Sequence, residues 1–216
     1  MVSTAPRKKR LSRAESQAAT RRKLLESAFE VVSRHGYDGA SVEMIAEEAG
    51  FSKGAFYSNF NSKEDILLQL LHTNASNDVE DLTELFADLD DAESVLSALK
   101  HWSDSRSANQ KWGTIAIEFV RRTIHDGDPD NPQLNIFVAQ WKGVGKLLQK
   151  KLNISPSRIS ALNLGGLVLE VTYGGISGFL KVNTSGEMLD DMLRMMLGPP
   201  ASEPADSQGG AESGQQ

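Results

Sequence analysis

The sequence predicts an all-α protein in two parts, a small three-helix unit followed by a larger helical body, and three observations carry that prediction. Apolar residues recur at helical spacing through most of the chain, with no useful length of the two-residue alternation that marks a half-buried strand. Residues 41–60, Ser-Val-Glu-Met-Ile-Ala-Glu-Glu-Ala-Gly-Phe-Ser-Lys-Gly-Ala-Phe-Tyr-Ser-Asn-Phe, have the form of two short helices joined by a tight turn. The remaining breaks fall at clusters that cannot continue a helix: Asp126-Gly127-Asp128-Pro129-Asp130-Asn131-Pro132, Asn153-Ile154-Ser155-Pro156 and Asn183-Thr184-Ser185-Gly186.

Taken in order, residues 1–19 hold Arg7, Lys8, Lys9, Arg10 and Arg13 among small polar residues with little apolar periodicity, and are expected to be a disordered basic arm. No apolar stretch follows the basic run, so it is not a secretory signal. The arm is open to two readings, contact with nucleic acid or simple solubility. Residues 21–35 then place Leu24, Leu25, Ala28, Phe29, Val31 and Val32 on one face, and Gly36 is a suitable residue to end that helix. Ser41 is the expected N-cap of the next, with Val42, Ile45, Ala46 and Ala49 on its buried stripe. Gly50 supplies the left-handed exit, Phe51 packs beneath the turn, and Ser52 caps a second short helix over about 53–59. Phe56 and Phe60 face inward from it, whereas Lys53, Gly54, Ala55, Ser58 and Asn59 are small, polar or cationic. Such a face suits a helix that enters a DNA major groove. Ser62 with Asp65 opens a further helix carrying Ile66, Leu67, Leu70 and Leu71.

Over about residues 20–72 the chain resembles the N-terminal domain of the TetR family of one-component transcription regulators. The resemblance rests on Ala28, Phe29 and Gly36, on Ser41-Val42 and Ile45-Ala46, on the ungapped run from Ala49 through Phe60, and on Ser62-Lys63-Glu64. It implies phosphate contacts from Tyr57 and Lys63 and base-facing positions at the start of the recognition helix. The DNA-binding set expected is therefore Ser41, Ser52, Lys53, Gly54, Ala55, Tyr57, Ser58, Asn59 and Lys63. Ala55 stands where the family commonly has threonine, and Asn59 where it commonly has histidine, so the operator sequence is not implied.

Charge is distributed accordingly. Residues 1–63 carry 11 Lys+Arg against 7 Asp+Glu, whereas residues 64–216 carry 12 against 22, so a basic front precedes an acidic body. The expected divisions are 1–19 as the arm, 20–73 as the helix-turn-helix unit, 74–198 as a helical ligand-binding and dimerisation domain, and 199–216 as a disordered tail rich in Pro, Gly, Ser and Gln. Body helices are expected at about 77–87, either separate or continuous with the helix opened by Ser62 as a connecting helix, and at about 92–105, 109–125, 133–152, 157–181 and 186–197.

Aromatic rings spread over the body helices offer walls for a planar or apolar molecule. The expected pocket set is Phe86, Trp102, Trp112, Phe119, Phe137, Trp141 and Tyr173, with His101, Arg121 or His125 to orient the occupant. The resemblance implies a small-molecule effector there. Glycines bunched between Leu164 and Leu180 are costly inside a helix unless close approach compensates. The resemblance implies a homodimer interface from the last two helices, expected to involve Gly166, Gly174, Gly175, Gly178, Leu189, Met192 and Met196. The same residues also suit the chain's own core, or the glycines a ligand cavity.

An enzyme is not expected, because no phosphate loop or nucleophile elbow is present and the chain contains no cysteine. The four histidines are scattered without metal spacing, so neither metal nor cofactor is expected. A seventeen-residue apolar stretch interrupted by Glu170 and several glycines is a poor membrane span, and a cytoplasmic protein is expected. The resulting expectation is a sequence-specific regulator that binds double-stranded operator DNA as a homodimer and, in the family's usual mode, represses until a small molecule releases it. The alternative is an all-helical ligand-binding or protein-interaction module that does not read DNA.

Overall fold

The computed structural model describes residues 12–108, 110–125, 134–174 and 183–198, and among them every regular element is a helix. The chain runs through α1 (Arg13–Gly39), α2 (Val42–Glu48), α3 (Lys53–Tyr57), α4 (Lys63–Leu85), α5 (Ala92–Ser107), α6 (Gln110–His125), α7 (Asn135–Lys151), α8 (Ala161–Tyr173) and α9 (Ser185–Leu197). Capping accounts for many of the starts. Ser12, Ser41, Ser52, Ser62, Asp91, Ser160 and Thr184 each accept a backbone N–H from the first turn of the helix that follows.

α1 begins eight residues earlier than the expected helix, at Arg13 instead of Arg21, so residues 13–19 are helical where disorder was expected. Ser12 and Glu15 form a reciprocal capping box, and good helix formers such as Ala14, Gln17, Ala18 and Ala19 let the packed part of α1 propagate backward without burying anything. Residues 1–11 and 199–216, the rest of the arm and the tail, lie outside the described residues. At the other end Gly36 adopts φ 69° and kinks α1, which resumes for three residues before Ala40 ends it. α8 starts later than expected. Arg158 donates its backbone N–H to Ser155 O at 3.0 Å in a separate turn, and only Ser160 opens the helix.

Two cores organise the packing. Leu24, Ala28, Val31, Ile45, Phe56, Phe60, Ile66, Leu67 and Leu71 close the N-terminal unit, and Ile115 and Phe119 of α6 enter the same cluster. Phe56 is fully buried, which contributes about 1.5–3 kcal/mol to a unit this small. Leu82, Phe86, Leu96, Leu99, Val144, Leu148, Leu164, Val168, Leu189 and Leu193 form the body core. A single uninterrupted α4 belongs to both, so the expected division near residue 73 falls inside a rigid rod.

Part of the glycine cluster serves this chain's own packing. A Cβ at Gly165 would overlap the Trp141 carbonyl, and one at Gly166 would lie 2.7 Å from the Trp141 ring, so α7 and α8 lie nearly backbone to backbone. Gly166 and Leu189, expected at a dimer interface, are buried within the subunit, and Gly174 caps α8 through its N–H to Glu170 O at 2.7 Å. Met192 and Met196 are partly buried; on the same helix Met188 and Met195 are exposed, Met195 at 77%. Gly175 and Gly178 lie outside the described residues.

Candidate nucleic-acid interface and body cavities

The turn between α2 and α3 is fixed by two backbone bonds. Gly50, at φ 75°, donates to Glu47 O at 2.9 Å, and Phe51 donates to Ala46 O at 2.8 Å, which satisfies the end of α2 and reverses the chain. α3 then rests on Phe56 and Phe60, whose rings are 5.7 Å apart and both buried, with Tyr57 edge-on to Phe56 at 5.5 Å. The opposite face carries Ser52, Lys53, Gly54, Tyr57 and Ser58, all exposed, with Ala55 and Asn59 half-buried at its edges. That face contains no acidic side chain. Ser41, at the head of α2, is half-buried and engaged in capping Met44 N.

A Cβ on Gly54 would meet only Ser52 Oγ, at 3.7 Å, and the residue has an ordinary helical backbone, so the fold does not require glycine there. Lys53 pairs with Glu43 of α2, which raises the lysine and lowers the glutamate from their ordinary pKa values. Ser58 Oγ donates to Gly54 O at 2.9 Å and Asn59 Nδ2 to Ala55 O at 2.9 Å. Lys63 is placed differently from the others. Its Nζ donates to Tyr37 O at 2.6 Å and Ala40 O at 2.7 Å and lies 4.2 Å from the Tyr37 ring centre, and burial lowers its pKa. The lysine ammonium therefore ties α4 to the end of α1.

Arg21 was not anticipated. It donates to the Asn59 carbonyl and to Gln69, with its guanidinium 4.3 Å from the Phe60 ring centre, placing a cation at the C-terminal end of α3. Turn chemistry gives no sign of it, since the partners are 38 and 48 residues away in sequence. A second unanticipated set joins α6 to α1. Glu118 accepts the Tyr37 N–H at 2.8 Å, Arg122 pairs with Asp38 and lies 4.8 Å from the Tyr37 ring centre, Lys111 pairs with Glu30 at 3.0 Å, and Phe29 stacks on Trp112 at 6.0 Å.

The body holds two cavities that share Trp112 and Tyr173 as walls. One, of about 550 Å³, lies at the junction with α1 and is bounded also by Phe29, Trp102 and Arg106. The other, of about 570 Å³ between α6, α7 and α8, is lined chiefly by apolar side chains including Ile117, Val120, Phe137, Trp141 and Leu169, with Arg121, Gln140 and Glu170 among its polar residues. Of the expected pocket residues, Trp102, Trp112, Phe137, Trp141 and Tyr173 meet these spaces. Phe86 and Phe119 do not, being packed at 0% and 3% exposure in the two cores. His101 is exposed with Nδ1 2.8 Å from Ser97 O, and the side chain of His125 lies outside the described residues.

Beside the shared wall lies Asp78 of α4, fully buried. It accepts from Tyr173 Oη at 2.8 and 2.9 Å and from Gln140 Nε2 at 2.8 Å, and pairs with Arg106 Nε at 3.4 Å. Burial raises its pKa to about 6 against the opposing pull of Tyr173 and Arg106, and burial together with the Asp78 charge raises Tyr173. A carboxylate on the connecting helix is thus bonded to residues that line the cavities. No spacing in the sequence marks it, because its partners come from three other helices. Among the described residues no group of three or more His, Asp or Glu could hold a metal, and no helix is long and apolar enough to cross a membrane.

A family model described as bacterial regulatory proteins, tetR family, matches residues 24–70. The chain is 35% identical over 186 residues to the HTH-type transcriptional repressor AcnR of Corynebacterium efficiens, covering 82% of this chain and 90% of that protein. Its match to AcnR of Corynebacterium jeikeium is 29% identical over 119 residues and spans about half of each chain, 55% and 54%. Among solved structures it resembles the regulator FadR of Bacillus subtilis in complex with stearoyl-CoA, at a TM-score of 0.61 and 18% identity, over 80% of this chain and 96% of that one.

Proposed function

The chain belongs to the tetR family of bacterial regulatory proteins, and we propose that it is a homodimeric transcriptional repressor whose grip on operator DNA is released by a small molecule. The observation that carries the reading is the face of α3, where Ser52, Lys53, Gly54, Tyr57 and Ser58 are exposed opposite the buried Phe56 and Phe60. A helix so shaped enters a major groove without obstruction, its first residues toward base edges and Tyr57 toward phosphate. Ser41, Ala55, Asn59 and Lys63 complete the proposed contact set, and Lys63 must exchange its two carbonyl partners for a phosphate to take part. Repression follows from occupying promoter DNA, and the cytoplasm is the compartment in which such a regulator meets it.

The second copy is supported by the exposed Met188 and Met195 of α9, with the partly buried Met192 between them on one side of that helix. For the effector, the cavities walled by Trp112 and Tyr173 are the proposed seat, and FadR with its stearoyl-CoA is a precedent for a ligand in a regulator of this fold. An occupant there acts on DNA binding only through unequal affinity for two dimer conformations. The routes available are α4, through Asp78, and α6, through Glu118 and Arg122.

Selection of bound genomic fragments followed by salt-dependent duplex binding tests the reading. The expected result is a site with two similar half-sites and an affinity that falls steeply with salt. Weak, sequence-indifferent binding with a shallow salt slope would sink it. An effector found through the neighbouring genes should lower operator affinity by about 5- to 150-fold, and saturating operator must weaken effector binding by the same factor.

A further inference from the structure

α1 extends well past the unit it helps to build. Its first fully buried residue is Leu24 and residues 19–21 are half-buried, Arg21 against the Phe60 ring, so the part from Arg13 to Ala18 projects about 9 Å past the unit at helical rise. Residues 12–18 are exposed throughout. An isolated helix of this length is marginal in water, and here it is sustained by continuity with α1 and by the Ser12–Glu15 capping box.

The direction of this stem is fixed at both ends. The contacts that α6 makes with α1 fall between Phe29 and Asp38, through Trp112, Lys111, Glu118 and Arg122, so residues 13–18 lie at the end of the helix opposite to them. On the way it passes α3, with Arg21 on the Asn59 carbonyl and Lys23 6.0 Å from the Phe51 ring centre. The stem therefore leaves the unit beside both ends of α3, the stripe of Arg13 and Gln17 lying between the faces that carry Arg21 and Lys23.

The face of the stem is equally defined. Arg13, Gln17, Thr20, Leu24, Ser27 and Val31 follow one stripe at intervals of four and three residues. From Leu24 onward that stripe is buried, Ser27 Oγ donating to Ile45 O of α2 at 2.7 Å. Before Leu24 the same stripe becomes cationic and hydrogen-bonding, with no large apolar residue between Ser12 and Lys23. A second copy of the chain or an apolar partner would find nothing to bury there. A polyanion would, since residues 12–23 carry Arg13, Arg21, Arg22 and Lys23 against the single Glu15, which is occupied in capping Ser12. The Ser12 and Glu15 amides are likewise engaged in that cap, and the cationic side face is what the stem offers.

We propose that this stem is a second DNA contact, in which Arg13 and Gln17 lie along the phosphates flanking the base pairs beneath α3. The inference rests on the DNA-reading function proposed above. It carries no sequence preference, because phosphate contacts fix register without reading bases. Arg22 supplies an internal control: it stands nine residues from Arg13, half a turn around the helix, and pairs outward with Glu26 at 3.7 Å.

The test uses the full-length chain, its Arg13→Ala, Arg22→Ala and Gln17→Ala variants, and duplexes of mixed sequence and of the selected operator, with affinity measured across salt concentration. Arg13→Ala should lower the slope of log affinity against log salt by about one on every duplex and leave the ranking of sequences unchanged. Gln17→Ala should weaken binding at an unchanged slope, and Arg22→Ala should leave both close to the parent. All three sites are exposed, and alanine is the better helix former, so folding is not at risk. An Arg13→Ala variant indistinguishable from a parent that binds DNA overturns the stem contact alone. Equal effects of Arg13→Ala and Arg22→Ala overturn it too, by showing a general charge effect without a face. A parent with no salt-dependent duplex binding overturns the DNA reading and the stem with it.

Discussion

The aromatic side chains beneath α3 and those between α6, α7 and α8 are used in opposite ways. In the N-terminal unit Phe56 and Phe60 are buried completely beneath the exposed Ser52, Lys53, Gly54, Tyr57 and Ser58, so α3 is held as a rigid edge whose outer residues bear little of the fold. In the body, Trp112, Trp141 and Tyr173 stand at the walls of open space, and Tyr173 is bonded to a buried carboxylate on the connecting helix. One keeps a shape, and the other, on the proposed reading, leaves room for an occupant to change its packing. Substitutions should therefore separate binding from stability in the first half and join them in the second.

The sharpest break of that contrast is Gly54→Leu. The fold leaves room for a side chain at 54, and leucine is the better helix former by several tenths of a kcal/mol, so thermal stability should hold or rise slightly. Operator affinity should collapse to the sequence-indifferent level, a loss of about 1,000-fold or more, because the leucine occupies the space that a base edge needs. Thermal melts and duplex titration of the same preparation check it. A large fall in melting temperature would mean that the outer face of α3 supports the fold after all.

The next effect lies in the body and appears as a pH dependence. Asp78 has a folded-state pKa raised to about 6 from 3.8, so between those values the folded chain keeps a proton that the unfolded chain has lost. Stability from this group is consequently greatest near pH 4 and falls as pH rises through 6, by about 1.4 kcal/mol per unit and about 3 kcal/mol in all. Asp78→Asn removes that titration. Denaturant unfolding of both chains should show the asparagine variant gaining on the parent as pH rises from 4 to 7, and a constant difference would place the Asp78 pKa near its ordinary value.

Much of the contrast was already legible in sequence, for a physical reason that also marks its boundary. Caps, turns and apolar stripes are local, so Ser41, Gly50, Ser52 and the Phe56–Phe60 pair could be placed from their neighbours alone. Asp78 with Tyr173, Gln140 and Arg106, and Arg21 with Asn59, depend on partners 28 to 95 residues away, which no short pattern encodes. Periodicity likewise found the aromatic residues without distinguishing core from wall. Phe86 and Trp141 have the same helical spacing logic, yet one is sealed in the body core and the other borders a cavity. The helix of residues 13–19 was missed because its stability comes from the cap and from continuity, neither of which leaves an apolar signature.

Lys63 sits on the boundary between the two behaviours and sharpens it. The Tyr37 and Ala40 carbonyls that it bonds belong to the end of α1, where α6 also attaches, so Lys63→Ala should cost about 1–3 kcal/mol of unfolding free energy. If the ammonium leaves those carbonyls to neutralise a phosphate, the salt slope of DNA binding should also fall by about one. Loss of stability at an unchanged slope would assign Lys63 to the fold alone.

Tyr57→Phe should give the smallest effect and the cleanest separation. The ring is 51% exposed, its edge contact with Phe56 survives the change, and no hydrogen bond holds its hydroxyl among the described residues, so stability should stay within about 0.5 kcal/mol of the parent. In the proposed contact the lost group is a neutral donor to phosphate, and its removal should weaken every duplex alike by about 2- to 10-fold, matching about 0.5–1.5 kcal/mol for one hydrogen bond. Because the hydroxyl carries no charge, the salt slope should not move, in contrast to Lys63→Ala. A change in the ranking of sequences would instead turn Tyr57 toward a base edge, and the boundary between positioning and reading on α3 would have to be drawn one turn later.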